Sequence, residues 1–245
     1  MKKVLSCVAL AVAIVLAGCS KNEDSQAKQP PSLEQARSPQ QAMEAANQKR
    51  NASAPKGDKA TPLESYQDLK SGRQLAIAYY ALEGNADYEK LAKVLSDEYR
   101  FSNDEFKKRD IVNNLKPGID REMAKAKEAR YYRVEMGGEY SLGSYDFTTK
   151  SFPFNVLQSA EAVVYFRDTA GFDLGFMNWS KFQGLKVEDE SAARMIESLR
   201  TKYGTLRIVG YVFAAETELG RSRIMGEIMR MQVQDKTGKV LAEIQ

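Results

Sequence analysis

The chain has 245 residues, contains no histidine and only two cysteines, and carries a formal net charge of +3. Without histidine, neither a Ser–His–Asp nor a Cys–His catalytic site can form, and a histidine zinc site is excluded as well. The near-neutral charge gives no electrostatic basis for binding nucleic acid.

The first eighteen residues have the layout of a secretory signal peptide. Lys2 and Lys3 supply a positive start, Val4 to Leu16 form an apolar run interrupted only by Ser6, and small residues follow. The run is shorter than the about 20 apolar residues that a transmembrane helix needs. We therefore expect residues 1–18 to be a signal peptide rather than a membrane span.

Leu16-Ala17-Gly18-Cys19 resembles a bacterial lipobox, the motif of lipoprotein precursors. The resemblance implies cleavage before Cys19, a diacylglycerol thioether on its thiol and an acylated amino group, which together give stable membrane anchoring. The other cysteine, Cys7, leaves with the signal peptide, so the mature chain has no free thiol. Ser20 in place of aspartate implies the outer membrane, on its periplasmic face; the inner membrane and surface display remain alternatives. The competing interpretation is an ordinary secretory signal in which Cys19 is incidental.

Residues 19–62 are rich in Gln, Ser, Ala, Asn, Lys and Pro and contain few large apolar side chains, with Leu33 and Met43 as exceptions. Such a segment buries too little apolar surface to offset the entropy lost on ordering. The sequence therefore predicts a lipid-anchored, disordered tether over residues 19–62.

Residues 63–130 have the apolar periodicity and the capping residues of a helical subdomain with about four short helices. The start and stop signals are a Ser71/Gln74 capping box, Gly84 as a helix stop, Asp87 as a cap, a Ser102/Glu105 capping box, and Pro117 at the start of the fourth helix.

Residues 131–245 have the alternating pattern of a β-rich subdomain. Asp189 is expected to cap a helix with Ala192, Ile196, Leu199 and Tyr203 on one face, and Gly137-Gly138 to form a hairpin turn. The predicted strands are Tyr131–Met136, Glu139–Tyr145, Phe152–Leu157, Ala162–Phe166, Phe172–Asn178, Phe182–Val187, a central strand Leu206–Ala215, and a closing hairpin of Arg223–Val233 with Lys239–Ile244. The expected class is α+β, with the helical cluster packed on a mostly antiparallel β-sheet or sandwich and one further helix.

The body also resembles a bacterial envelope domain family of unknown function. The resemblance is carried by Ser102–Pro117, Gly143–Phe154 and Val187–Ile196, and it extends from about Tyr66 to the end of the chain. It implies an envelope location and a helical half followed by a β half, and it carries over no catalytic residue.

Two aromatic positions are candidates for a binding surface. Tyr145-Asp146-Phe147 could stack on sugar rings of cell-wall glycan with Asp146 holding a hydroxyl, and Trp179 could be a ligand platform or an interface anchor. The alternative is that these aromatic side chains pack in the core and that Asp146 only stabilises a turn.

The acidic groups Glu188-Asp189-Glu190, Glu216 and Glu218 could serve a glycan hydrolase if two of them flanked a cleft. Helix capping explains the first group equally well. Met225, Met229 and Met231 are expected on one strand face, where core packing is favoured over copper binding.

No catalytic motif, metal or cofactor follows from these residues. The predicted function is a non-catalytic binding or structural module of the cell envelope, held at the membrane by its N-terminal lipid, with an envelope protein or peptidoglycan as partner. A carboxylate-dependent hydrolase of envelope glycan and an immunity or inhibitor lipoprotein are the alternatives.

Overall fold

A computed structural model describes residues 39–169 and 171–245 of the chain. Within this part, five of the six α-helices precede the first long strand, and seven strands form one mixed sheet beside a separate two-stranded sheet. The α+β class predicted from the sequence is confirmed, with a single main sheet rather than a sandwich. The predicted signal peptide and Cys19 lie outside the described residues.

The helical capping signals act largely as predicted. The Oγ of Ser71 accepts a hydrogen bond from the backbone N of Gln74, whose side chain accepts from the backbone N of Ser71. Gly84 ends that helix with a φ of 72°, which glycine adopts without steric strain, and Asp87 caps the next helix. The helices are α1 (Pro39–Ser53), α2 (Gly72–Glu83), α3 (Tyr88–Leu95), α4 (Asp97–Phe101), α5 (Glu105–Glu128) and α6 (Glu190–Arg200).

Helix boundaries differ from the prediction at two places. Asp104, not Ser102, caps α5, since its Oδ1 accepts bonds from the backbone N atoms of Phe106 and Lys107. Pro117 lies inside α5 and does not begin a fourth helix. A proline removes the hydrogen bond to the carbonyl four residues earlier; Asn113 and Pro117 are both exposed, so water can bond that carbonyl.

The main sheet has the strand order β1-β2-β7-β8-β5-β4, and β9 pairs with β8 beside β5. Four of its six pairings are antiparallel, whereas β1 with β2 and β5 with β8 are parallel. The strands are β1 (Gln67–Leu69), β2 (Tyr131–Gly138), β3 (Ser151–Pro153), β4 (Val163–Tyr165), β5 (Asp173–Phe176), β6 (Gly184–Lys186), β7 (Leu206–Thr217), β8 (Arg223–Asp235) and β9 (Val240–Ile244).

One predicted strand, Glu139–Tyr145, is wrong. The chain leaves β2 through a bulge after Glu135 and enters a 3-10 turn at Glu139–Ser141. A Cβ on Gly137 would lie 2.0 Å from the Oγ of Ser141, so this glycine permits a close backbone approach and not a two-residue hairpin. The other predicted strands are confirmed with changed bounds, except that the second half of Phe152–Leu157 is a 3-10 turn at Asn155–Leu157.

The larger hydrophobic core lies on the face of the sheet that packs against the helices. Leu75 of α2 and Leu91 of α3 meet Ile208 and Val212 of the central strand β7 in this core. Because both halves of the chain contribute to one core, and because β1 precedes α2, the helical and β-rich regions are intimately packed.

The opposite face of the sheet is covered by residues 54–66, most of which fall within the range 19–62 that the sequence predicts to be disordered. Residues 39–53 form α1, and residues 54–66, here called the strap, cross a cluster that includes Phe213 and Met229. A Cβ on Gly57 would lie 2.7 Å from the Sδ of Met229, and the backbone N of Gly57 donates to Glu227 Oε2 at 3.1 Å. The prediction of disorder was wrong for residues 39–62. Asn47 and Arg50 bond Leu219 and Glu216, and the backbone N of Asp58 donates to the hydroxyl of Tyr131, so polar contacts dock this segment although it has few large apolar side chains.

Candidate functional site

The candidate site is built where residues 139–147 run beside α6. The backbone N of Gly204 donates to Glu139 Oε1 at 3.0 Å, Arg200 donates to Ser144 Oγ at 3.1 Å, and the backbone N of Tyr145 donates to Glu197 Oε2 at 3.3 Å. Sequence numbers rise on one element as they fall on the other, so the segment lies antiparallel to the helix.

Helix α6 is held by a predicted cap and a buried face. Both carboxylate oxygens of Asp189 accept bonds from backbone N–H groups of the first turn, which confirms its capping role. Ala193 and Ile196 are buried in the main core. Tyr203, predicted on the same face, is 86 % exposed because the helix ends at Arg200.

The ring of Tyr145 forms one wall of the site. Its hydroxyl donates to the carbonyl of Val187 at 2.9 Å, and its ring lies 5.0 Å from the buried ring of Phe152. The ring of Phe147 meets Tyr145 edge to face, with centroids 5.1 Å apart. Phe147 is nevertheless 79 % exposed, so one face of this aromatic pair is open to solvent.

Between these rings and α6 lies a cleft of about 380 Å³. Two ion pairs of α6 flank it: Arg194 Nε donates to Glu190 Oε1 at 3.0 Å, and Arg200 Nε donates to Glu197 Oε2 at 3.0 Å. The Arg200 guanidinium holds the pKa of the Glu197 carboxyl below its usual value. The cleft is lined by Tyr145, Phe147, Glu190, Ala193, Arg194, Glu197, Ser198 and Thr201.

Asp146 faces its own turn. Its Oδ1 accepts bonds from the backbone N atoms of Thr148 at 2.7 Å and Thr149 at 3.2 Å, which lower the pKa of the carboxyl. The carboxylate is thus already engaged by backbone donors, the arrangement expected of an Asx turn.

Trp179 is remote from this arrangement. It begins a 3-10 turn, is partly buried against the main core, and is not among the described residues that line the cleft. The neighbouring Asn178 bonds both backbone groups of Ile228, at 2.9 Å each, which fixes this turn on β8. The two predicted aromatic positions therefore do not form one surface.

The carboxylates considered for a hydrolase are individually engaged. Glu188 pairs with Lys186 at 2.6 Å, Glu216 with Arg50 at 3.5 Å, and Glu218 with Arg223 at 3.2 Å. Lys186 lowers the pKa of Glu188, whereas a catalytic acid at neutral pH needs a raised pKa. Among the described residues, no group of three or more acidic, cysteine or histidine side chains is arranged to hold a metal ion.

The methionines do not share one face. A bulge in β8 opposite Tyr211 and Val212 places Met229 in the cluster under the strap and Met231 in the main core. The prediction of a shared methionine face was wrong because a bulge shifts the alternation by one residue.

Two exposed aromatic residues near the cleft were missed by sequence reasoning. Tyr140 is 78 % and Tyr203 is 86 % exposed, and their ring centroids are 6.5 Å apart. The local pattern assigned Tyr140 to a strand and Tyr203 to a buried helix face. Only the 3-10 turn after β2 and the end of α6 bring the two rings together.

No protein-family model, curated protein or solved structure matches this chain significantly. The resemblances to a lipobox and to an envelope domain family therefore stay predictions. Within the described residues, none of the helices combines the length and apolar character that crossing a membrane requires.

Proposed function

We propose that the chain is a lipid-anchored lipoprotein of the bacterial envelope, facing the periplasm from the outer membrane, and that its body is a non-catalytic binding module. The leader supports the anchor, since Lys2, Lys3, the apolar run and Leu16–Cys19 stand in the order that lipoprotein export requires.

The cleft beside α6 is the observation that carries the binding role. Apolar surface exposed to water is unfavourable, and Phe147 is 79 % exposed in spite of its edge-to-face contact with Tyr145. A mostly preformed cleft with aromatic walls and a few polar groups is the usual form of a ligand site. Phe147 would therefore contact a ligand or partner directly.

The test is crosslinking in intact envelopes of cells that produce the full chain, followed by affinity recovery and intact-mass analysis. Three variants are compared with the native chain: Cys19→Ala, Phe147→Ser and Phe101→Ser. Phe101 is the matched control because it is 78 % exposed, as Phe147 is 79 % exposed, but lies at the end of α4.

We expect a mass increase of triacyl size that Cys19→Ala abolishes, and a crosslinked partner that Phe147→Ser reduces while Phe101→Ser does not. An unlipidated mature chain would contradict the anchor. If Phe147→Ser recovered as much of the crosslinked partner as the native chain does, the cleft would not be the binding site.

A second candidate, an immunity or inhibitor lipoprotein, is favoured by the tip between α4 and α5. Phe101 and Phe106 are 78 % and 72 % exposed there, with the guanidinium groups of Arg100 and Arg109 each 5.5 Å from a ring centroid. Paired exposed aromatic residues with arginine are typical of protein-binding hot spots. Loss of a crosslinked protein in Phe101→Ser, with retention in Phe147→Ser, would favour this function over the first.

A further inference from the structure

We infer that the surface beside α6 binds a linear, uncharged or weakly charged glycan, with one contact region at the cleft and a second at Tyr140 and Tyr203. This inference rests on the proposed function and names the ligand class of the same site. The two regions together are called the α6 platform, defined by Tyr140, Tyr145, Phe147, Tyr203 and the face of α6 from Glu190 to Thr201.

The first contact region has the chemistry that a pyranose ring requires. The C–H groups on one face of a sugar ring pack by dispersion on an aromatic ring, and Phe147 offers such a face. The hydroxyls around the sugar need donors and acceptors, which Glu190, Arg194 and the exposed Ser198 supply at the edges of the cleft. The buried Ala193 forms a small, flat floor.

The second contact region follows the C-terminal end of α6. Tyr203 lies two residues after Thr201, which lines the cleft, and the neighbouring Gly204 bonds Glu139, next to Tyr140. The rings of Tyr140 and Tyr203, tilted by 46° with centroids 6.5 Å apart, form an open pair with no covering element among the described residues.

The charges on the platform select against a polyanion. Glu190 with Arg194 and Glu197 with Arg200 are two ion pairs that leave this face formally neutral. A strongly anionic polymer would find no net attraction here, whereas a neutral polyhydroxylated chain can bond both members of each pair.

A protein partner fits this platform less well than a glycan does. Protein-binding hot spots cluster as contiguous, desolvated apolar residues. Here the exposed rings occur at separate points with ion pairs and hydroxyl groups between them. Separate stacking positions joined by polar groups match a chain whose sugar rings repeat at regular intervals.

The experiment measures affinity of the purified full-length chain, in detergent, for two β-1,4-linked N-acetylglucosamine probes, a tetrasaccharide and a disaccharide. The native chain is compared with Phe147→Ser, Tyr203→Ser and the control Tyr165→Ser; Tyr165 is 67 % exposed and lies on β4, outside both proposed binding surfaces. All three substitutions change largely exposed side chains, so equal thermal midpoints should verify that folding is unaffected.

We expect Phe147→Ser to weaken binding of both probes by about 3- to 10-fold. Tyr203→Ser should weaken binding of the tetrasaccharide by a similar factor and binding of the disaccharide by less, because the longer probe covers more of the α6 platform. Tyr165→Ser should change the affinity for neither probe.

The inference would be overturned if neither probe bound, or if Phe147→Ser left the affinity for both probes unchanged. If such a result accompanied a Phe147-dependent protein in the envelope crosslinking, the binding module would stand and the glycan would be the wrong ligand. If neither experiment depended on Phe147, both proposals would fail.

Discussion

The two faces of the main sheet are covered in different ways. The first face packs against α2, α3 and other elements through large apolar side chains, among them Leu75, Leu91 and Phe176, each at most 1 % exposed. The second face is covered by the strap, whose contacts come from Ala54, Gly57 and Tyr66 and from backbone hydrogen bonds. Most of the strap has a composition typical of disorder, yet it covers this face together with the large side chains of Leu63 and Tyr66 at its end.

The largest expected effect compares Met231 on the first face with Met229 on the second. Replacing Met231, which is fully buried, with alanine should lower the free energy of unfolding by about 2–5 kcal/mol, because a cavity remains among rigid helices and strands. The loss for Met229→Ala should lie at or below the lower end of that range, because the strap can move to fill the cavity. Denaturant unfolding of both variants measures the difference, and equal losses would contradict the view that the strap is the more adaptable cover.

The next effect is alkaline destabilisation, to which tyrosines on both faces contribute. Burial raises the pKa of Tyr66, at the end of the strap, and of Tyr132, in the main core, to about 12. A tyrosine in the unfolded chain ionises near pH 10. The stability that each buried tyrosine contributes is therefore fully present below about pH 10 and is lost as the pH rises toward about 12.

The loss should be on the order of 2 kcal/mol per tyrosine. Tyr66→Phe and Tyr132→Phe should each flatten the fall in unfolding free energy over that interval. A pH titration of urea unfolding tests this for each face, and an unchanged slope in either variant would remove that tyrosine from the explanation.

The smallest effect concerns the strap alone. Gly57→Ala brings a methyl group within 2.8 Å of Phe213 Cβ, so the strap must shift, at a loss of about 1–2 kcal/mol and with faster proteolysis of residues 39–66. Gly118→Ala is the matched control, since a Cβ there meets nothing within 4 Å and glycine lowers helix stability relative to alanine. Unchanged proteolysis of Gly57→Ala would contradict a tightly seated strap.

Much of the helical region follows from local signals. Ser71, Gly84, Asp87 and Asp189 act within four residues of their own positions, through hydrogen bonds and backbone conformations that the amino-acid type nearly determines. The long strand β7 was likewise predictable, because apolar residues on both alternating faces indicate a central strand.

The candidate site was predictable only in part. Tyr145 and Phe147 stand out as a dense aromatic pair in the sequence, and the cleft contains both. Their partners Glu197, Ser198 and Thr201 come from a helix some fifty residues later, and no periodic signal links the two segments.

The sequence by itself determined the exclusion of histidine chemistry, the signals that begin and end most helices, and the central strand, because each depends on residue identity or on neighbours along the chain. The tertiary structure alone decided that residues 39–66 are ordered, that Met229 and Met231 face opposite ways, and that Tyr140 meets Tyr203. These features depend on contacts between distant segments and on a single bulge, whose free energies are set by the assembled surfaces and not by local propensity.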